Sequence, residues 1–148
     1  MATSPTLTLQ SWSRAEREAV VVVPYVLGAL LLAGQAAVHV QQYASLFHEV
    51  RWIGPLFIAD AIASLVVIAA LTIRRWRRLA ALAGIVIAVL ALGSLAVSYG
   101  HGLFGWQETG FRTPVELAVI SEVGAVVFLA IALAVNDVSA PRPARARR

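Results

Sequence analysis

Apolar residues dominate the chain in four runs, and polar punctuation separates them. The runs extend over about residues 19–40, 55–73, 79–99 and 114–135. A helix rises about 1.5 Å per residue, so roughly 20 apolar residues span the ~30 Å hydrocarbon core of a bilayer. The pattern predicts an all-α fold: one transmembrane four-helix bundle, forming a single membrane domain over residues 1–148.

Local signals place several helix starts. Ser13-Arg14-Ala15-Glu16 fits a capping box, in which a Ser hydroxyl and a Glu carboxylate satisfy the first free amides of a helix. Thr113-Pro114-Val115-Glu116 repeats the logic, with Thr as N-cap and Pro at the first helical position. Pro55 opens the second run. Pro24 stands where it can kink the first helix or mark a second beginning.

The connections have their own character. Leu46, Phe47 and Val50 recur at helical spacing among polar neighbours, which predicts a short helix lying in the membrane interface. Tyr43 and Trp52 suit the headgroup level. The Gly-rich stretch 100–113 reads as a flexible or re-entrant loop, with Phe104, Trp106 and Phe111 at the interface. Residues 1–12 read as loose, and 137–148, with Pro141 and Pro143, as a disordered tail.

Composition agrees with a membrane chain. Hydrophobic residues make up 59% and charged residues 14%, against about 25% charged in soluble domains. The absence of cysteine removes disulfides, thiolate metal sites and cysteine nucleophiles. Every cationic side chain is Arg, and eight of the twelve lie in Arg74–Arg78 or in the tail from Arg142. Both clusters directly follow apolar runs, so they signal topology and not a nucleic-acid surface. The two other connections hold only Arg51 and Arg112. The positive-inside rule then puts both termini in the cytoplasm, in a bacterial plasma membrane. A cleaved signal peptide is disfavoured because the first apolar run is too long for an h-region.

Polar residues inside the runs carry the candidate chemistry, because ionisable groups in a bilayer are costly and face the bundle interior. Counting from the cytoplasmic edges, Gln35, Asp60, Ser94 and Glu122 all fall ~21–23 Å up their helices. Gln35 pairs with His39, and Asp60 with Ser64, at i, i+4; Ser94, Ser98 and His101 form an i, i+4, i+7 stripe. The expected result is an outward-facing polar pocket of Gln35, His39, Asp60, Ser64, Ser94, Ser98, His101 and Glu122.

Several uses of that layer stay open. It can be hydrogen-bonded glue between helices. His39 and His101 can ligate a b-type haem axially, although their heights differ by about 5 Å. A divalent metal can draw on His39, His101, Asp60 and Glu122. A quinone or other lipid-like ligand fits a pocket with few polar groups and apolar walls. Proton-linked transport is a further reading, although so short a chain lacks inverted repeats. Small residues at Gly84 and Ala88, and at Ala59 and Ala63, allow close helix contact within one chain or in a homo-oligomer or larger complex. Gly100-His101-Gly102-Leu103-Phe104-Gly105 matches G-x-G-x-x-G but follows a span and not a β-strand, so dinucleotide binding is discounted. No hydrolase order or nucleophile motif is present. The favoured expectation is a non-enzymatic accessory or scaffold protein of the membrane.

The segments His39-Val40-Gln41-Gln42-Tyr43, Val50-Arg51-Trp52-Ile53-Gly54-Pro55-Leu56-Phe57 and Gly100-His101-Gly102-Leu103-Phe104-Gly105-Trp106 resemble those of small four-span membrane proteins of actinobacteria. The topology is also similar in outline to the DoxX-like four-helix membrane proteins. The resemblance implies the architecture and no catalytic residue.

Overall fold

The computed structural model describes residues 13–139. It is all-helical, and four helices dominate: α1 (Arg14–Gln42), α2 (Ile53–Thr72), α3 (Arg77–Gly100) and α4 (Thr113–Ser139). Each is long and apolar enough to cross a membrane. The loose segment 1–12 expected from the sequence lies outside the described residues. So does residue 140 onward of the expected tail, whereas α4 continues through 137–139 as helix.

The first start signal acts as its chemistry requires. The Ser13 hydroxyl accepts from the Glu16 amide at 3.2 Å, and the Glu16 carboxylate accepts from the Ser13 amide at 2.7 Å. Both halves of the capping box are therefore made. α1 runs through Pro24 without interruption. At the other end of the chain, α4 starts one residue before the expected position, and the Arg112 carbonyl accepts from the amides of Val115 and Glu116.

The expected interfacial helix does not form. α1 instead continues into a single π-helical turn, Tyr43–Phe47. Val50 then donates to the Phe47 carbonyl, and Gly54 to the Val50 carbonyl, at 3.0 Å each. The wide turn folds Phe47 inward, where it is buried. Gly54 allows this, because a Cβ there would strike the Phe47 carbonyl oxygen. Helical spacing alone could not tell an apolar stripe facing lipid from one folded back on its own bundle.

The four helices pack in a square. α1 and α3 each lie against α2 and α4, and they face each other across a diagonal with little contact. The half of the bundle nearer the Arg74–Arg78 turn holds the apolar core. There Leu32 and Leu129 are fully buried among Tyr25, Val67, Leu71, Ala81, Ala88 and Ala125. Gly84 makes this packing possible: a Cβ there would come within 2.7 Å of Leu129 Cδ1 and 3.1 Å of Leu32 Cδ1. Gly84 and Ala88 thus serve contacts within the chain, as close helix packing by small residues requires. The outward faces stay apolar and exposed, as at Leu30, Ile62, Val66, Leu90 and Ile120.

Arg77 closes the arginine-rich end. It begins α3, yet its Nε donates to the Leu71 carbonyl of α2 at 3.0 Å. Its guanidinium also lies 5.4 Å from the centre of the Tyr25 ring, whose hydroxyl accepts from Asn136 of α4. One arginine of the topology cluster therefore ties all four helices together, while Arg74, Arg75 and Arg78 are exposed.

Candidate functional site

Three ionisable side chains from three helices meet in the half of the bundle away from the arginine turn. His39 of α1 stands at the centre. Its Nδ1 lies 2.5 Å from Asp60 Oδ2 on α2, and its Nε2 lies 3.5 Å from Glu122 Oε1 on α4. Gln35, one turn along α1, donates its amide to both Asp60 oxygens at 3.2 and 3.0 Å. Each ring nitrogen of one imidazole thus faces a different carboxylate. Such a histidine can carry a proton between the two, taking it at one nitrogen and releasing it at the other.

The surroundings are tight. His39 is 8% exposed and Glu122 only 2%. The spacing that placed Gln35 and His39 on one face of α1, and Asp60 on a facing helix, is what brings the cluster together. Of the four residues inferred to share a height, Gln35 bonds Asp60 and His39 bridges Asp60 to Glu122, whereas Ser94 lines the cavity.

Above the cluster lies a cavity of about 390 Å³. Its walls are mostly apolar, from Ile53 and Phe57 on α2, Ile87 and Leu95 on α3, and Val115 and Ala118 on α4. Asp60, His39 and Glu122 form its polar side. Of all the lining residues, only Leu56, Ala59, Leu90 and Ser94 are exposed, and these belong to α2 and α3 alone. The mouth therefore opens sideways between these two helices, not along the bundle axis.

Aromatic rings close the end of the cavity. Phe47 stacks on Phe57 at 4.7 Å, and Trp106 meets Phe47 edge-on at 5.0 Å. Trp106 is held there by a tight turn. Leu103 and Trp106 exchange amide-to-carbonyl bonds of 2.7 and 2.9 Å. Between them Phe104 and Gly105 have φ of 48° and 84°, the positive pair that a hairpin turn of type I′ uses. The G-x-G-x-x-G glycines thus shape a turn. The loop is pinned further where the Glu108 amide donates to Ser98 Oγ at 3.2 Å and the Tyr99 hydroxyl to the Gly110 carbonyl at 2.9 Å. Arg112 pairs with Glu108 at 2.8 Å. A flexible or re-entrant loop with three aromatics at the interface was expected; Trp106 packs inward against Phe47, while Phe104 and Phe111 are exposed.

The polar residues inferred from the sequence divide into three groups. Gln35, His39, Asp60 and Glu122 are in direct contact. Ser94 and Ser98 line the cavity, Ser94 at its mouth. Ser64 is buried but does not line it, and His101 is exposed and apart from it. His101 is the C-cap of α3, with φ −124° and ψ −4°. The helix ends before the i, i+7 stripe reaches it. His39 and His101 are therefore not brought together as axial haem ligands. Among the described residues, no three His, Asp or Glu side chains converge as a metal ion needs, because the two carboxylates face opposite nitrogens of one ring.

Among the cavity residues that sequence reasoning did not place in the pocket are Gln42, Phe47, Phe57 and Trp106. Two had a signal. Gln42 completes an i, i+4, i+7 stripe with Gln35 and His39, and Phe57 lies one turn before Asp60. Phe47 and Trp106 had none, since an aromatic at a span end reads equally well as an interface anchor.

Two of the lining residues, Glu122 and Trp106, hold a buried polar atom with no partner among the described residues, Oε2 and Nε1, as do Gln35 and Ser64 away from the cavity. Buried polar atoms are nearly always paired, so each orphan calls for a reason. No protein-family model, curated protein or solved structure matches the chain.

Proposed function

We propose that the chain is a multi-pass protein of a bacterial plasma membrane that binds a small, membrane-soluble molecule in the cavity between its helices. One observation carries the reading: an apolar, aromatic-capped cavity ends on Glu122 and Trp106, each with a buried polar atom lacking a protein partner. Small-molecule sites are typically concave, about 300–1,000 Å³, mostly apolar, and supplied with a few fixed polar groups. The sideways mouth between α2 and α3 supports entry from the bilayer. The arginine distribution supports an orientation with the arginine turn in the cytoplasm and the cavity in the outer half.

The polar layer is then a recognition surface. The ligand's apolar body fills the space between Phe57, Leu95 and Ala118, while its polar group points toward the end of the cavity at Glu122 and Trp106. An accessory role in a larger assembly is compatible with this, the ligand then being structural or regulatory.

The test is purification of the full chain from its native membrane without exhaustive delipidation. Solvent extraction and mass spectrometry should find one small molecule in near-stoichiometric amount. It should be lost from Ala63→Phe, which fills the cavity from α2. An extract containing only bulk lipid, identical for both proteins, would overturn the reading. A Soret band would mark haem instead, and a stoichiometric protein partner without a small molecule would favour the scaffold.

A further inference from the structure

We infer that the cavity takes a lipophilic monocation, such as a protonated or quaternary amine on an apolar body, which competes with a proton for Glu122. This deepens the ligand-binding reading and rests on it.

The charge inventory of the cavity points this way. Its titratable lining groups are His39 from α1, Asp60 from α2, Glu122 from α4 and Glu108 from the loop. α3 contributes only Ser94 and Ser98 as polar groups, and no arginine lines the space. Glu108 is already matched by Arg112 at 2.8 Å. What is left is two carboxylates around one imidazole. Even with the imidazole protonated, the ionised cluster carries one negative charge in excess. An uncompensated charge costs several kcal/mol in a low-dielectric interior, so the cluster takes up one positive charge. A proton can supply it, and so can a ligand cation.

Geometry says where that charge is received. Glu122 is 2% exposed, its Oε1 faces His39, and its Oε2 has no partner among the described residues. This oxygen is buried, so a proton can sit on it directly, while a cation in the cavity balances its charge from a distance and an anion is repelled. The mouth between α2 and α3 admits molecules already dissolved among lipid chains. Fatty acids and other anionic amphiphiles would meet carboxylates at the polar side and are rejected. Because proton and ligand balance the same charge, each displaces the other, as linkage requires.

The experiment uses the full chain in detergent and three probes of similar shape. Tetraphenylphosphonium is the cation, tetraphenylborate the anion and triphenylphosphine oxide a neutral molecule with an acceptor oxygen. Calorimetry at several pH values should show saturable binding of the cation, at least about tenfold tighter than of either other probe. On the acid side its affinity should fall about tenfold per pH unit, with about one proton released per cation bound. Glu122→Gln should abolish both the pH dependence and the proton release. If that variant fails to fold, proton release from the unaltered chain still decides the matter, read in two buffers of different ionisation enthalpy. Ala63→Phe should remove binding; cation binding that survives it lies elsewhere and overturns the inference. If the neutral probe binds as well as the cation without proton release, the cation inference fails while the ligand-binding reading stands. If no probe binds, both fail.

Discussion

His39 Nδ1 lies 2.5 Å from Asp60 Oδ2 and joins α1 to α2 within otherwise apolar helices. This contact organises the rest of the site, because the same ring presents its other nitrogen to Glu122 on α4. Removing the imidazole leaves two carboxylates facing each other across a gap. His39→Ala should therefore destabilise the bundle by about 2 kcal/mol or more. Asp60→Asn keeps an acceptor for Gln35 and removes a charge, so it should cost less. A double-mutant cycle on His39 and Asp60, followed by unfolding in mixed micelles, should give a coupling energy that favours the pair. Additive losses would show that the contact contributes no stability.

Arg77 and Arg75 contribute equally to the charge of the α2–α3 turn but differ in what they touch. Arg77 donates to the Leu71 carbonyl and covers Tyr25, whereas Arg75 stacks only on its exposed neighbour Trp76. Arg77→Ala should lower stability by about 1–2 kcal/mol. Arg75→Ala should stay within about 0.5 kcal/mol of the unaltered chain. Thermal unfolding of the two purified variants makes the comparison.

Gly84 and Leu129 should behave as a size-matched pair. A methyl group at Gly84 would be pressed to 2.7 Å from Leu129 Cδ1. Gly84→Ala should cost about 1–3 kcal/mol by overpacking. Adding Leu129→Ala should cost less in that background than alone, because the new methyl occupies part of the space vacated. Equal costs in both backgrounds would mean that the helices separate instead of clashing.

The orientation can be read directly because the chain has no cysteine. In intact cells, Thr109→Cys in the 101–112 loop should react with a membrane-impermeant maleimide. Arg78→Cys at the arginine turn should react only after lysis. The reverse labelling would invert the topology and put the cavity in the cytoplasmic half.

The architecture was legible because burying backbone in lipid permits so few solutions: four long apolar runs could hardly be anything but helices. The polar cluster was legible for a related reason. Gln35, His39, Asp60 and Glu122 are too costly to leave facing lipid, so equal height and shared helical faces brought them to one place. Direction was harder to read. His101 shares a stripe with Ser94 and Ser98, but α3 ends at Gly100, so the periodicity stops applying at the residue where it was used. Phe47 was read as part of a helix lying in the interface and Trp106 as an interface residue, yet a π-helical turn and a tight hairpin turn fold them inward. Both changes depend on backbone geometry at one or two residues. Apolar periodicity does not encode it, although Gly54 and Gly105 mark where it occurs.

The most direct test of the central claim is an experimental density map of the full chain, purified with its native lipids and resolved well enough to show side chains. The account predicts non-protein density in the cavity, between the Trp106 indole and Glu122 Oε2, continuous with the mouth at Ala59 and Ser94. A cavity closed by α2 and α3, with Glu122 Oε2 and Trp106 Nε1 both bonded to protein groups, would contradict it.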